Sequence, residues 1–386
     1  MSDTRERPKV LVFVGTRPEA IKLAPVVRAL GRIASLDLVT VSTGQHGQML
    51  SDVLVDLDWK PDRELRSMVE GQSLSALYGN LMALASQEIV SFKPKLVIVH
   101  GDTATALASS QAAFLSGVPV AHVEAGLRTN NLRSPFPEEM NRQLIARLAT
   151  LNFAPTQEAV LQLTREGIDP KSIHLVGNSI VDATEWAFRE KLSSKSDESR
   201  LRSAISESAP RLRLDEGFAV LTLHRRENAE KFRQILSVIR EVCNQHLNFQ
   251  FLFPVHPNPA IKQVAHEVLG ESQNVSLVNP LGYLEFLYLM SKARFILSDS
   301  GGIQEEGVTL SRQVLLVRDT TERPEGLNSG FVEMVGTNPE RIRTRLLSMI
   351  SSDQAGAQLN LAGNPFGDGT AAHSIAVKVA AMLERE

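Results

Sequence analysis

Apolar residues along this chain fall in short unbroken runs separated by longer stretches with helical spacing. Val10–Val14, Leu38–Val41, Leu96–Val99, Val118–Val123 and Ile173–Val176 read as buried strands. Between them Ala20–Leu30, Leu74–Val90, Ala104–Leu115 and Glu138–Ala149 read as helices. Runs without polar alternation suit strands covered on both faces, so the pattern predicts a parallel sheet with crossover helices on either side. From Ala187 to Glu216 the chain turns rich in Ser and charge, which predicts a surface helix or linker into a second domain. The alternation resumes with Ala219–Leu223, Phe249–Val255, Val275–Val278, Phe295–Leu297 and Val314–Val317. Asn364–Gly369 is a turn-rich stop, and Thr370–Leu383 has helical spacing suited to packing back on the first half. The expected fold class is α/β, with two Rossmann-like domains facing a central cleft. Residues 1–178 with 370–386 form the first domain, and 179–369 the second.

A length of 386 residues agrees with two domains. With a formal net charge of -3, nothing in the bulk composition favours nucleic acid or an anionic membrane, so any phosphate affinity must be local. The single cysteine, Cys243, excludes an internal disulfide and a multi-cysteine metal site, and suits a reducing compartment. The charged start (Met1–Lys9) and the lack of a long apolar run predict a cytoplasmic chain.

Ligands of such sheets bind outside the carboxyl ends of the strands. In the first half those ends carry Gly15-Thr16-Arg17-Pro18-Glu19 with Lys22, then His100-Gly101-Asp102-Thr103, then Glu124-Ala125-Gly126-Leu127-Arg128. In the second half they carry His224-Arg225-Arg226-Glu227-Asn228, His256-Pro257-Asn258, a Ser-Gly-Gly turn, and Arg318 to Arg323. The first set is rich in carboxylates: Asp102, Glu124 and, slightly later, Glu138. The second is rich in groups that bind phosphate. A nucleotide diphosphate on the second half would point its attached group at the acids of the first. Acids that give and take protons beside a sugar carbon suit elimination, epimerisation or glycosyl transfer.

The segment Ser298-Asp299-Ser300-Gly301-Gly302-Ile303-Gln304-Glu305-Glu306 is the most informative. An apolar run ends, two glycines turn the chain, and a helix begins, so backbone N–H groups face a phosphate. Glu306, further into the helix, can accept hydrogen bonds from ribose hydroxyls. The alternative is an ordinary strand–helix corner with a solvated Glu pair. His122 fits a structural hydrogen bond on its strand better than chemistry, and His46 suits either a ligand contact or a helix cap. The chain has no G-x-G-x-x-G after the first strand and no G-x-x-x-x-G-K-[ST], so neither nicotinamide binding nor a P-loop is indicated. No His, Asp or Glu spacing makes a persuasive metal site.

Taken in order, these strings resemble the non-hydrolysing UDP-N-acetylglucosamine 2-epimerases. The resemblance adds Pro137-Glu138-Glu139-Met140-Asn141-Arg142 and Arg318-Asp319-Thr320-Thr321-Glu322-Arg323-Pro324-Glu325 and runs from residue 9 to about 370. It implies a fold similar to GT-B glycosyltransferases, no cofactor and no metal, and a UDP-sugar as partner. It implies that UDP is eliminated with loss of the carbon-2 proton, then re-added to a 2-acetamidoglucal with protonation on the opposite face. By position Asp102, Glu124 and Glu138 match the family's catalytic carboxylates. Arg17, Lys22 and His224 match groups near the diphosphate, His224 being counted with the catalytic set. Ser300, Gly301 and Gly302 match the phosphate turn and Glu306 the ribose contact. His256 joins the substrate-binding set, and Leu281 to Phe286 would lie by the uracil. Gln45, His46 and Gln48 match a second, activating site. Gly71 stands where members with that site usually carry Arg, so weak activation is expected. Gly307-Val308 replaces the more usual Ala-Pro, a change expected to act on helix packing. The resemblance also implies a homodimer and a product used in surface polysaccharide. A hydrolysing epimerase, an epimerase of a modified UDP-sugar, a glycosyltransferase and a UDP-sugar sensor are the competing readings. Domain closure would keep the intermediate from water, with hinges near Val176–Asp182 and Asn364–Gly369.

Overall fold

The computed structural model describes residues 7–69, 71–223, 231–352 and 359–384. The chain divides into two compact units, Met1–Ala183 with Phe366–Glu386, and Thr184–Pro365. In the first, the strands are β1 (Lys9–Val14), β2 (Asp37–Ser42), β3 (Arg63–Glu64), β4 (Leu96–His100), β5 (Val120–Val123), β6 (Leu151–Ala154) and β7 (Ile173–Leu175). Its helices are α1 (Arg17–Gly31), α2 (Gln48–Asp56), α3 (Leu74–Phe92), α4 (Ala104–Leu115), α5 (Glu138–Leu148) and α6 (Gln157–Arg165). Helix α7 (Ser179–Glu190) carries the chain across the boundary to α8 (Lys195–Ser208). The second unit continues with β8 (Phe218–Thr222), α9 (Phe232–Gln245), β9 (Gln250–Pro254), α10 (Pro259–Leu269), β10 (Val275–Val278) and α11 (Tyr283–Lys292). It ends with β11 (Phe295–Ser298), α12 (Gly301–Thr309), β12 (Gln313–Leu316), α13 (Pro324–Asn328), β13 (Val332–Met334) and α14 (Pro339–Ser351). Helix α15 (Ala371–Leu383) returns to the first unit and packs on α1.

Each unit is built on one parallel sheet, ordered β3-β2-β1-β4-β5-β6-β7 in the first and β10-β9-β8-β11-β12-β13 in the second. Every residue of the central strands β4 and β8 is buried, which is why each is apolar up to its last residue, His100 and Thr222. In both sheets the chain first winds outward from a central strand, then returns to that strand's other side. The reversal falls between β1 and β4 in one unit and between β8 and β11 in the other. A crevice at the carboxyl ends of two such strands is where open α/β sheets take ligands.

Strands β3, β6 and β13 are additions to the elements the apolar runs predict. The first and last are short edge strands containing charged residues, and β6 has Asn152 inside its apolar run, so none shows a continuous apolar signal. The Ser- and charge-rich stretch is mostly helical, and α8 buries Leu201 and Ile205 rather than running as a free linker. Among the described residues no helix is long and apolar enough to cross a membrane.

Gly126, just after β5, has φ +96, and a Cβ there would sit 2.4 Å from the carbonyl oxygen of Ala159. Both the backbone conformation and the close approach require glycine. Gly126→Ala is expected to cost roughly 2–4 kcal/mol, combining left-handed strain with overpacking. A urea-denaturation midpoint equal to wild type would contradict this.

Candidate active site

In the first unit the loops after β1 and β4 are tied together by one buried side chain. Thr16 caps α1, and Glu19 completes a reciprocal box by accepting from the Gly15 and Thr16 N–H groups at 2.9 and 2.7 Å. The other Glu19 oxygen accepts from the Thr103 hydroxyl at 2.7 Å, across the switch point. Burial pushes the Glu19 carboxyl up to about 7, against the pull of these donors. Gly15 is needed because a Cβ there would meet Thr105 Oγ1 at 2.1 Å. Arg17 opens α1, half-buried, and its N–H donates to His46 Nδ1 at 3.3 Å. Lys22, about one turn beyond Glu19, is buried and pairs with Glu124.

The predicted acids follow adjacent elements, and cations hold two of them. Asp102, after β4, receives Arg142 of α5 in a two-nitrogen pair, with Nε at 3.0 Å. Its carbonyl accepts from Asn141 Nδ2 at 2.7 Å, and Asn141 Oδ1 in turn accepts from the Tyr78 hydroxyl. Glu124, after β5, has φ +65, a conformation that marks functional positions when a non-glycine side chain is held there. Its Oε2 accepts from Lys22 and from Asn178 Nδ2 at 3.2 Å, with His100 Nε2 at 3.9 Å. Glu138 is the half-buried first residue of α5, where the helix dipole favours an anion. Its neighbour Glu139 is fully buried and structural, accepting from the N–H groups of Thr129 and Asn130. The burial of Tyr78 raises its phenol, and the charges of Glu138 and Asp102 add to this, so these groups share one neighbourhood. Arg142, Asn178 and Tyr78 are the members that strand-end reasoning missed. Only Arg142 carries a sequence signal, lying one helical turn after Glu138.

In the second unit, Ser300 is the N-cap of α12, and Gly301 and Gly302 are its first two residues. The glycines do not turn the chain through positive φ; both are helical. Gly301 is required by packing, since a Cβ would lie 2.5 Å from Arg323 Nη1 and 2.8 Å from Glu322 Oε1. At Gly302 a Cβ would meet nothing within 4 Å, which leaves the helix N-terminus approachable. The Glu pair is not solvated: Glu305 is fully buried against Arg323, and Glu306 is buried on the same helix. Arg318, Glu322 and Arg323 extend this ion network under the turn. Gly307 is also a packing residue, with a would-be Cβ 2.3 Å from Val314 Cγ2, in line with the expected effect of that change. His256 is exposed beyond β9, its Nδ1 accepting from the Asn258 N–H. Leu281 is buried just ahead of α11, and Phe286 is half-buried within it. His224, with Arg225 and Arg226, lies outside the described residues.

The second-site candidates sit in the first unit. Gln45 Oε1 accepts from the Thr105 N–H and hydroxyl at 3.2 and 2.8 Å, and Gln48 donates to Asp52 at 2.7 Å. Gly71 has φ +74 and open space around it.

His122 is buried on β5 and its Nε2–H donates to the Gly101 carbonyl at 2.7 Å, the structural bond expected of it. Burial pushes it from the ordinary 6.5 down to about 4, and does the same to His100. Between those values the unfolded chain binds protons that the folded chain refuses, so this stability is lost as pH falls through the interval. Glu19, raised to about 7, acts in the opposite sense, favouring the fold at the acid end. His122→Gln keeps a donor toward Gly101 and removes one titration. The wild-type melting temperature should therefore fall faster than the variant's as pH drops from about 6.5 to about 4. Parallel curves would contradict this.

The sequence profile of the UDP-N-acetylglucosamine 2-epimerase family matches residues 28–380. The UDP-N-acetylglucosamine 2-epimerase of Escherichia coli (strain K12) is 40% identical over 368 residues, 95% of this chain and 97% of that one. The crystal structure of the Neisseria meningitidis UDP-GlcNAc 2-epimerase bound to UDP-GlcNAc is 38% identical with a TM-score of 0.89, covering 97% of this chain and 100% of that chain. The Methanocaldococcus jannaschii UDP-GlcNAc 2-epimerase, in complex with UDP-GlcNAc and UDP, is 32% identical with a TM-score of 0.82, covering 97% and 99%. With two parallel-sheet α/β units of GT-B-like fold and a match of this extent, the chain belongs to the UDP-N-acetylglucosamine 2-epimerase family.

Proposed function

We propose that this chain is an isomerase that interconverts UDP-N-acetylglucosamine and UDP-N-acetylmannosamine at carbon 2 without net hydrolysis. The observation that supports it most is the pair of carboxylates, Asp102 and Glu124, at the carboxyl ends of neighbouring parallel strands, each held by a cation from a different helix. Relatives bound to UDP-GlcNAc and UDP support the substrate class.

The proton at carbon 2 is weakly acidic, so a carboxylate base needs help from bond breaking at carbon 1. As that bond breaks, the diphosphate leaves with growing negative charge. N–H groups at the start of α12, with Arg17, Lys22 and His224, serve that charge in this reading, at roughly 3–4 kcal/mol per important donor. The product is enzyme-held 2-acetamidoglucal and UDP. Re-addition of UDP, with a proton delivered to the opposite face, completes the inversion, so two acid–base groups are required. Asp102, Glu124 and Glu138 supply the candidates. Glu306 takes the ribose, and His256, Leu281 and Phe286 complete the nucleotide's surroundings. The same reading carries a homodimer, and sedimentation at the mass of a single chain would contradict it.

Incubation with UDP-N-acetylglucosamine in deuterated water, followed by NMR, should show deuterium gained at carbon 2 with partial inversion. Free sugar plus UDP as products would overturn the proposal. Glu124→Gln and Asp102→Asn should each lose about 10²–10⁴-fold in kcat while still binding UDP. Unaltered rates would contradict the assigned roles.

A further inference from the structure

Asn178 joins the chain's exit from the first unit to the Glu124 carboxylate. It is buried just ahead of α7. Its Oδ1 accepts from the Ile180 N–H at 3.1 Å, and its Nδ2 donates to Glu124 Oε2 at 3.2 Å. Its own N–H donates to the carbonyl of Phe366, at 2.6 Å, where the chain re-enters the unit. Beside it the two crossover segments touch backbone to backbone: a Cβ on Gly367 would lie 3.1 Å from Gly177 Cα. These bonds also fix the amide's orientation. A flipped amide would set Oδ1 against the carboxylate and an N–H against the Ile180 N–H.

Two of the donors to Glu124 Oε2 have different duties. Lys22 balances the charge, and Asn178 aims the group without adding charge. Lys22 also serves the diphosphate in the reading proposed above. Asn178 is a neutral donor to that carboxylate to which the proposed reading assigns no contact with the diphosphate. We infer that Asn178 is a positioning residue for the carbon-2 reaction, its amide orienting Glu124 and the paired crossover segments holding the amide. This rests on the proposed acid–base role of Glu124.

Asn178→Ser and Asn178→Thr both keep a hydroxyl oxygen as acceptor for the Ile180 N–H and both lose the amide donor to Glu124, which their shorter hydroxyls do not reach. With UDP-N-acetylglucosamine as substrate, each should lose about ten- to hundredfold in kcat, the loss of a hydrogen bond to a charged group. KM and UDP affinity should stay within about threefold of wild type, the split expected when a group acts only in the chemical step. Melting temperatures should stay near wild type. Wild-type kcat in either variant would overturn the inference. So would a loss of kcat matched by loss of UDP affinity or of thermal stability, which marks a merely structural residue. A wild-type chain that fails to epimerise overturns the proposed function instead, so the two failures are distinguishable.

Discussion

The Lys22–Glu124 pair is the constraint around which the first unit's site is organised. Both side chains are less than a tenth exposed, and neither charge is tolerable at that depth without the other. The pair requires α1 to start immediately after β1 and Glu124 to sit directly beyond β5. Glu124 meets the second condition in a left-handed backbone conformation. Gly126, two residues later, lets the same loop press against α6. The capping box of Thr16 and Glu19 then fixes where α1 begins, and through Thr103 it fixes the loop that carries Asp102. A small set of bonds thereby locates two carboxylates relative to each other.

The second unit solves a different problem by a related device. The turn ahead of α12 has no stiffness of its own, since two glycines open the helix. Rigidity comes from beneath, where Glu305, Arg323, Glu322 and Arg318 form a buried ion network. Gly301 is flush against that network, and Gly302 stays open to its surroundings. Breaking one member of such a network leaves an uncompensated buried charge, so the turn's geometry is protected by a large local cost. Preorganised N–H groups are useful for a leaving anion only if they do not have to be arranged during the reaction.

Much of this was legible in the sequence because parallel strands buried on both faces leave continuous apolar runs. Val275–Val278 and Ala104–Leu115 match their predicted bounds, and the carboxyl-end loops are where the pattern put them. The short edge strands β3 and β13 escaped because so little of them is buried, and β6 because Asn152 interrupts its run. The acids were legible as polar residues directly after strands. Of the groups around them, Lys22 and Arg142 lie in strings the sequence singles out, whereas Asn178 and Tyr78 come from distant parts of the chain and reach this neighbourhood only on folding. Gly301 and Gly302 were singled out for a partly mistaken reason. Sequence suggests a turn, whereas the structure shows helical backbone, one glycine demanded by Arg323 and the other leaving space.

The central claim is that these acids act on a sugar whose bond to UDP breaks and re-forms at carbon 1. A substrate carrying a heavy oxygen isotope in the bridge between carbon 1 and the β-phosphorus tests it directly by phosphorus NMR. Elimination frees the β-phosphate to rotate, so the label should move into non-bridging positions as carbon 2 inverts. Inversion with the label retained entirely in the bridge would contradict the account.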